Sequence, residues 1–253
     1  MRPVLHVAFV ALLLVAPLAH ADKLNSKAES GTGEFEALLL EVAPPSPTGI
    51  ILLHGRGGHP DNKVVAPLRR SLHKAGYSTL SIALPHPPGG SDEFKNYVAD
   101  ATGSNRVFPE VCARIRTAMA ELKQRKVIEV VLVGFSLGAR LSTACLTTPI
   151  LGPLPVVGLV AIGNGANSVA PLNSALMLDK VSAPVLDLYG NADQDVAASA
   201  AARRAAYERG AGKSFTQVMV PGNVPHAFTG HEAELVKEVD SWVRRIAPLG
   251  KGA

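Results

Sequence analysis

The sequence has 253 residues, of which 47% are apolar and 18% charged, with a formal net charge of +4. That apolar content excludes a disordered chain, and the length suits one large domain. Two cysteines, Cys112 and Cys145, exclude a disulfide-framework fold and a multi-cysteine zinc module, and Lys and Arg, scattered in short pairs such as Arg69-Arg70, leave no basic stripe for nucleic acid.

The chain opens as a signal peptide does. Arg2 supplies a positive n-region, Val7 to Ala16 is an unbroken apolar run, and Ala19-His20-Ala21 has the small-x-small pattern of a cleavage site. The run is shorter than the roughly 20 residues that span a bilayer. The expectation is cleavage after Ala21 and an exported, periplasmic or secreted protein with residues 22–253 as its single domain. No later stretch is apolar enough for a membrane span.

Asp22 to Gly33 is polar and reads as a loose lead-in. Beyond it, apolar runs alternate with helical patterns. The expected strands are Phe35–Val42, Gly49–His54, Tyr77–Leu84, Ile128–Gly134, Val156–Gly163, Ala183–Gly190 and Ser214–Val220. Most are apolar on both faces, as strands covered by helices on both sides are. Phe35–Val42 is expected to be an antiparallel edge strand. The expected helices are Asp61–Ala75, Arg106–Lys126, Leu137–Thr147, Asp195–Arg209 and Gly230–Ile246, the last with Trp242 on its core face. Strand alternating with helix gives an α/β fold: a doubly wound, mainly parallel sheet of seven to eight strands with helices on both faces. In such sheets the functional residues gather at the carboxyl ends of the strands.

One motif at such a strand end carries chemistry. Gly134-Phe135-Ser136-Leu137-Gly138 fits the G-x-S-x-G elbow, follows the apolar run Ile128–Val133 and opens a helix. A sharp strand-to-helix turn lifts the Ser136 hydroxyl above the sheet, and the helix N-terminus favours developing negative charge. A serine nucleophile needs a base, and the base needs an orienting acid. Downstream of Ser136 there are two histidines. His226 lies in the loop after the last strand, whereas His231 opens the final helix as a solvated or capping group, so His226 is the expected base. The strand Pro184–Tyr189 runs into Gly190-Asn191-Ala192-Asp193-Gln194-Asp195. Asp193, on the turn, is the expected acid. Asp195 reads as the N-cap of the next helix, and Asp187 lies inside the strand. Acyl transfer also needs donors for the oxyanion. These are expected to be the backbone N–H groups of Leu137 and, in His54-Gly55-Arg56-Gly57-Gly58, of Arg56.

The His54-Gly55 loop, the Ser136 elbow, the Gly190-x-x-Asp193 turn and the His226-x-Phe228 loop together resemble the α/β-hydrolase superfamily, from about Phe35 to Ile246. Gly55–Pro60 with Pro67-Leu68-Arg69 and Leu80–Pro85 is similar to a little-characterised set of exported bacterial members. The compact plan resembles dienelactone-hydrolase-like proteins and small carboxylesterases. Dienelactone hydrolases proper use a cysteine nucleophile where this chain has Ser136. The resemblance implies a serine hydrolase of carboxylic esters, with a small-molecule ester as partner and no cofactor. Only about twenty residues separate Gly163 from Ala183, too few for the cap that many lipases insert there. The irregular segment Pro85–Asn105, with Phe94 and Tyr97, is a candidate wall for the pocket.

Two other readings use the same residues: an amidase or peptidase with the same triad, and a binding protein on a hydrolase fold. All three triad positions are filled, which weighs against the second. A metal site from His54, His59, Asp61 and His86 lacks ligand spacing. Export permits a Cys112–Cys145 disulfide, both residues sitting on helices that flank one strand. Pro109 suggests that the helix of Cys112 begins just before it, while Cys145 lies well down its own helix. That axial mismatch argues against a bond, and the pairing stays open.

Overall fold

A computed structural model describes residues 21–28, 31–86, 107–148, 151–165, 172–173, 177–210 and 214–249. The apolar leader and most of the Pro85–Asn105 segment lie outside the described residues. Eight strands form one sheet: β1 Ala21–Ala28, β2 Gly31–Leu40, β3 Thr48–Leu53, β4 Ser78–Ile82, β5 Glu129–Phe135, β6 Val156–Ile162, β7 Val185–Gly190 and β8 Phe215–Val220. Their order is β1-β2-β4-β3-β5-β6-β7-β8. The pairs β1–β2 and β2–β4 are antiparallel and all the others parallel.

The helices are α1 Val65–Lys74, α2 Val107–Gln124, α3 Leu137–Leu146, α4 Gln194–Ala198, α5 Ala200–Arg209 and α6 Glu232–Ile246. The two-residue period of a strand sends alternate side chains to opposite faces, and the central strands β3 and β5 are apolar at almost every position. Ile51 and Leu53 of β3 join a core with Ile115 and Met119 of α2 and Leu141 of α3. Ile50 and Leu52 join a second core with Leu68 of α1 and Leu235, Val239 and Trp242 of α6. The result is a three-layer α/β sandwich. Among the described residues no helix is long and apolar enough to cross a membrane.

Several local expectations change, and the open question of the disulfide is answered. The polar lead-in is the strand β1, paired with β2 along its whole length. β2 is therefore antiparallel but not an edge. An edge strand pairs through its backbone and needs no apolar alternation, so its side chains give little sign of it. The helix expected over Asp195–Arg209 is two helices divided at Ser199. The N-cap of the first is Asp193, and Asp195 lies within its first turn. Cys112 and Cys145 are joined by a disulfide, with their Cα atoms 5.5 Å apart. The axial argument failed because α2 and α3 pack side by side against the same core, which both cysteines join, so their different positions along the two helices do not keep them apart.

Candidate active site

Four loops converge at the carboxyl end of the sheet. The first is the elbow between β5 and α3. Its Ser136 has φ 53° and ψ −112°, a left-handed conformation that is strained for any residue with a Cβ. Ser136 N–H still donates to Ile162 O of β6 at 2.7 Å, so the turn is pinned to the sheet. The flanking glycines permit the turn sterically. A Cβ on Gly138 would lie 2.5 Å from Leu53 O, and one on Gly134 2.6 Å from the backbone of Ala139. The motif therefore follows from close packing of α3 against the ends of β3 and β5.

The second loop follows β8. His226 Nε2 lies 2.9 Å from Ser136 Oγ, and His226 Nδ1 lies 2.5 Å from Asp193 Oδ2. These contacts fix the tautomer as Nδ1–H donating to the carboxylate, with Nε2 left to accept from the serine hydroxyl. Phe135 lies beside the imidazole with ring centroids 5.1 Å apart. Gly163, at φ 61°, gives the ring its room, since a Cβ there would stand 2.8 Å from His226 Cε1.

The third loop, after β7, carries Asp193, which is only 9% exposed. Its side chain makes no capping bond to α4 and turns instead to His226. Asn191 of the same turn fixes the two loops to each other. Its Oδ1 accepts Val224 N–H at 2.9 Å, while Ala192 N–H donates to Val224 O at 3.0 Å. Asp187, inside β7 and six residues before Asp193, pairs instead with buried Arg203 at 2.9 Å. Asp195 is exposed on α4 and reaches only the rim. His231 stands at the N-cap of α6 and is not among the residues bordering the cleft over Ser136.

The fourth loop follows β3. His54 is 2% exposed, and both ring nitrogens are committed to backbone. Nδ1–H donates to Gly55 O at 2.7 Å and Nε2 accepts Leu84 N–H at 2.9 Å. Burial is the main reason that its pKa falls to about 4, so the ring is neutral. His54 thereby ties the Arg56 loop to the end of β4. Leu137 is the first residue of α3, so its N–H belongs to the first turn, where helical amides have no partner within the helix. Asp61, which carried the metal alternative with His54, His59 and His86, is engaged by Arg69 at 2.9 Å. Among the described residues no cluster of three or more His, Cys, Asp or Glu is placed to hold a metal ion.

A cleft of about 420 Å³ opens over the serine, bordered by Arg56, Phe135, Ser136, Arg140, Asp193 and His226 among others. That volume suits a small organic molecule. Sequence reasoning missed Arg140, a residue of α3 only 5% exposed. Its signal was a lone charge in the otherwise uncharged helix Leu137–Leu146. Asn191 was missed as well, because an Asn in a Gly-rich turn is ordinary turn chemistry.

This strand order, the elbow and the loop positions define the α/β-hydrolase fold. A family model described as a protein of unknown function (DUF3530) matches residues 13–102 and 91–245, and the chain belongs to that family. No curated protein matches the sequence. Among solved structures, the chain is similar to a dienelactone hydrolase from Anabaena variabilis, at 20% identity and TM-score 0.66 over 92% of this chain and 99% of that one. A lidless α/β serine hydrolase from Xanthomonas campestris matches at 21% identity and TM-score 0.61, over 90% and 95%. An esterase from Pyrococcus furiosus matches at 16% identity and TM-score 0.65, over 90% and 91%.

Proposed function

We propose that this protein is a serine hydrolase that cleaves carboxylic esters through an acyl-enzyme, with Ser136 as nucleophile, His226 as base and Asp193 as orienting acid. The observation that carries this reading is the unbroken chain from Ser136 Oγ through both nitrogens of His226 to Asp193 Oδ2, at 2.9 and 2.5 Å. Ser136 Oγ attacks the ester carbonyl and passes its proton to His226 Nε2. Asp193 holds the Nδ1–H and stabilises the imidazolium that forms. The amides of Leu137 and Arg56 receive the oxyanion. As the tetrahedral adduct collapses, the alkoxide leaves with the proton from Nε2, and the acyl group stays on Ser136. Water, deprotonated by His226, then attacks the acyl-enzyme through a second adduct and releases the acid.

The short connection between Gly163 and Ala183 leaves no sequence for a lipase-type cap there, which favours small or water-soluble esters. The names of the structural neighbours, dienelactone hydrolase and esterase, accord with ester chemistry. The same reading places the protein outside the cytoplasm after cleavage following Ala21. The Cys112–Cys145 disulfide supports that placement, since such bonds persist in oxidising compartments. The test is a p-nitrophenyl ester series of increasing chain length on the mature protein, with fluorophosphonate labelling and a Ser136→Ala control. Labelling and turnover that vanish in the control are expected. Turnover that survives in Ser136→Ala overturns the assignment.

A further inference from the structure

We propose that the buried ion pair between Arg203 and Asp187 positions Asp193 for its bond to His226, by holding both ends of the segment that carries it. The inference rests on the ester-hydrolase reading for its effect on catalysis. Neither residue borders the cleft, so both act through Asp193. Arg203 of α5 and Asp187 of β7 are 0% and 1% exposed, and Arg203 Nε donates to Asp187 Oδ2 at 2.9 Å. Apolar side chains of similar size often serve stability as well as a buried ion pair, or better. What they cannot supply is directed bonds to the backbone. Arg203 Nη1 donates to Val196 O of α4 at 2.8 Å and to Ser199 Oγ at 2.7 Å. One guanidinium therefore holds the chain at Asp187, before the Asp193 turn, and again at Val196 and Ser199, after it.

The segment between those points needs such a hold. Asp193 is the N-cap of α4, but its side chain makes no capping bond. Its carbonyl accepts Ala197 N–H at 2.9 Å, so its backbone moves with α4. α4 spans only Gln194–Ala198, too short a helix to be stable alone. Its apolar support is a small cluster of Tyr189, Val196 and Ala200, separate from the two main cores. The Arg203 guanidinium lies over the ring of Tyr189, with Cζ 5.5 Å from the centroid. Gln217 extends the brace to β8, the strand before the His226 loop. It pairs with Asp187 in the register of β7 and β8, and its Nε2 donates to Asp187 Oδ2 at 2.8 Å and to Ala200 O at 2.9 Å. The ion pair thus ties β7, β8, α4 and α5 together around the Asp193 turn. Burial pushes the Asp187 carboxyl above its ordinary pKa, and Arg203 acts against that rise. Removing Arg203 alone therefore also leaves a buried carboxyl without its counterion, and a clean test removes both charges.

The test is the double variant Arg203→Met/Asp187→Leu, which puts apolar side chains of similar size in place of the pair and should unfold in urea at a midpoint near that of the wild type. Its kcat toward a p-nitrophenyl ester should fall by about 10–10²-fold, the scale on which a displacement of about 1 Å acts. The second readout is the tautomer of the neutral His226 ring, reported by its 15N shifts. The Nδ1–H form that Asp193 holds should lose population to the Nε2–H form, toward the value in Asp193→Asn. Tyr77→Phe is the control for stability alone, since the Tyr77 hydroxyl donates to Ala247 O at 2.7 Å before the start of β4, at the opposite end of the sheet. It should lower the urea midpoint and leave kcat and tautomer unchanged. If it moves them as far as the double variant does, they track stability and the proposal fails. If the double variant does not fold, Arg203→Lys decides, because it keeps the charge but loses the fork that reaches Asp187 and Val196 together. It should move both readouts in the same direction. A folded variant with wild-type kcat, or one whose kcat falls while the His226 tautomer stays unchanged, overturns the positioning role and leaves the hydrolase reading standing. If the wild type cleaves no ester and Ser136 does not label, the hydrolase reading fails and the tautomer alone judges the brace. A shift toward Nε2–H then supports it, and no shift overturns it.

Discussion

Acidification should unlatch the loop that carries Arg56, because His54 holds it only while neutral. The ring donates from Nδ1 to Gly55 O at 2.7 Å and accepts Leu84 N–H at Nε2 at 2.9 Å. A protonated ring has no lone pair for Leu84, whose buried N–H then faces another donor. The folded pKa of about 4 lies below the ordinary 6.5, a gap of about 2.5 pH units. At 1.36 kcal/mol per unit this is worth about 3 kcal/mol. Between pH 6.5 and 4 the unfolded chain binds more protons at this residue than the folded one. The contribution of neutral His54 is therefore fully present above pH 6.5 and is lost as pH falls toward 4, with about 2 kcal/mol gone by pH 5. Other groups titrate in the same window, so the measurement is a difference. Urea unfolding of the wild type and of His54→Asn, which does not titrate, is followed from pH 7.5 to pH 4.5. The stability gap between them should narrow as pH falls, with most of the change between pH 6 and 4.5. A gap that stays constant to within about 0.5 kcal/mol, comparable to the spread seen for independent sites, would refute the latch.

Ser136→Ala, His226→Ala and Asp193→Asn should each abolish most ester hydrolysis, the last by about 10⁴-fold in kcat, and a double variant should lose little more than the worse single one. Retained turnover in Asp193→Asn with loss in Asp195→Asn would move the acid to Asp195. Arg56→Pro, which removes an amide donor, should lower kcat about 10²–10³-fold more than Arg56→Ala, which keeps it, with circular dichroism checking both folds. Replacing Cys112 and Cys145 by alanine should cost about 3–4 kcal/mol in urea unfolding, from the chain entropy of a loop of sequence separation 33. Rate against concentration of a long-chain ester should rise smoothly through the micelle threshold, and a jump there would indicate a lid.

The parts of the fold that were legible in the sequence are those in which one residue type answers to one physical demand. β3 and β5 are apolar at almost every position because helices cover both faces, and their boundaries fall within a residue or two of expectation. The elbow was legible because its glycines sit where backbone approaches backbone. β1 was hidden because its pairing with β2 is made by main-chain groups that every residue carries. Arg140 was hidden for another reason. A charge in a helix ordinarily marks a solvated face, and only the packing of α3 against the sheet puts this one at 5% exposure. The disulfide turned on how α2 and α3 pack against each other, which the spacing of residues within each helix does not reveal.

Sequence separations of 33 and 90 residues divide His226 from Asp193 and Ser136. The sheet brings them together because β5, β6, β7 and β8 are successive parallel neighbours, so their following loops open at one end. That alone sets proximity to a few ångströms, which is too coarse for proton transfer. The finer adjustment comes from bonds between loops. On one side of Ser136, Asn191 and Ala192 hold Val224, fixing the Asp193 turn and the His226 loop as one unit. On the other side, His54 holds the β3 loop to the end of β4. Ser136 thus stands between two separately braced pairs of loops, one holding His226 and Asp193, the other the Arg56 amide. On the proposed mechanism, loosening the first pair should disturb proton transfer while the oxyanion donors stay in place, and loosening the second should do the reverse. The serine itself is held by neither pair, but by its strained turn and its bond to β6.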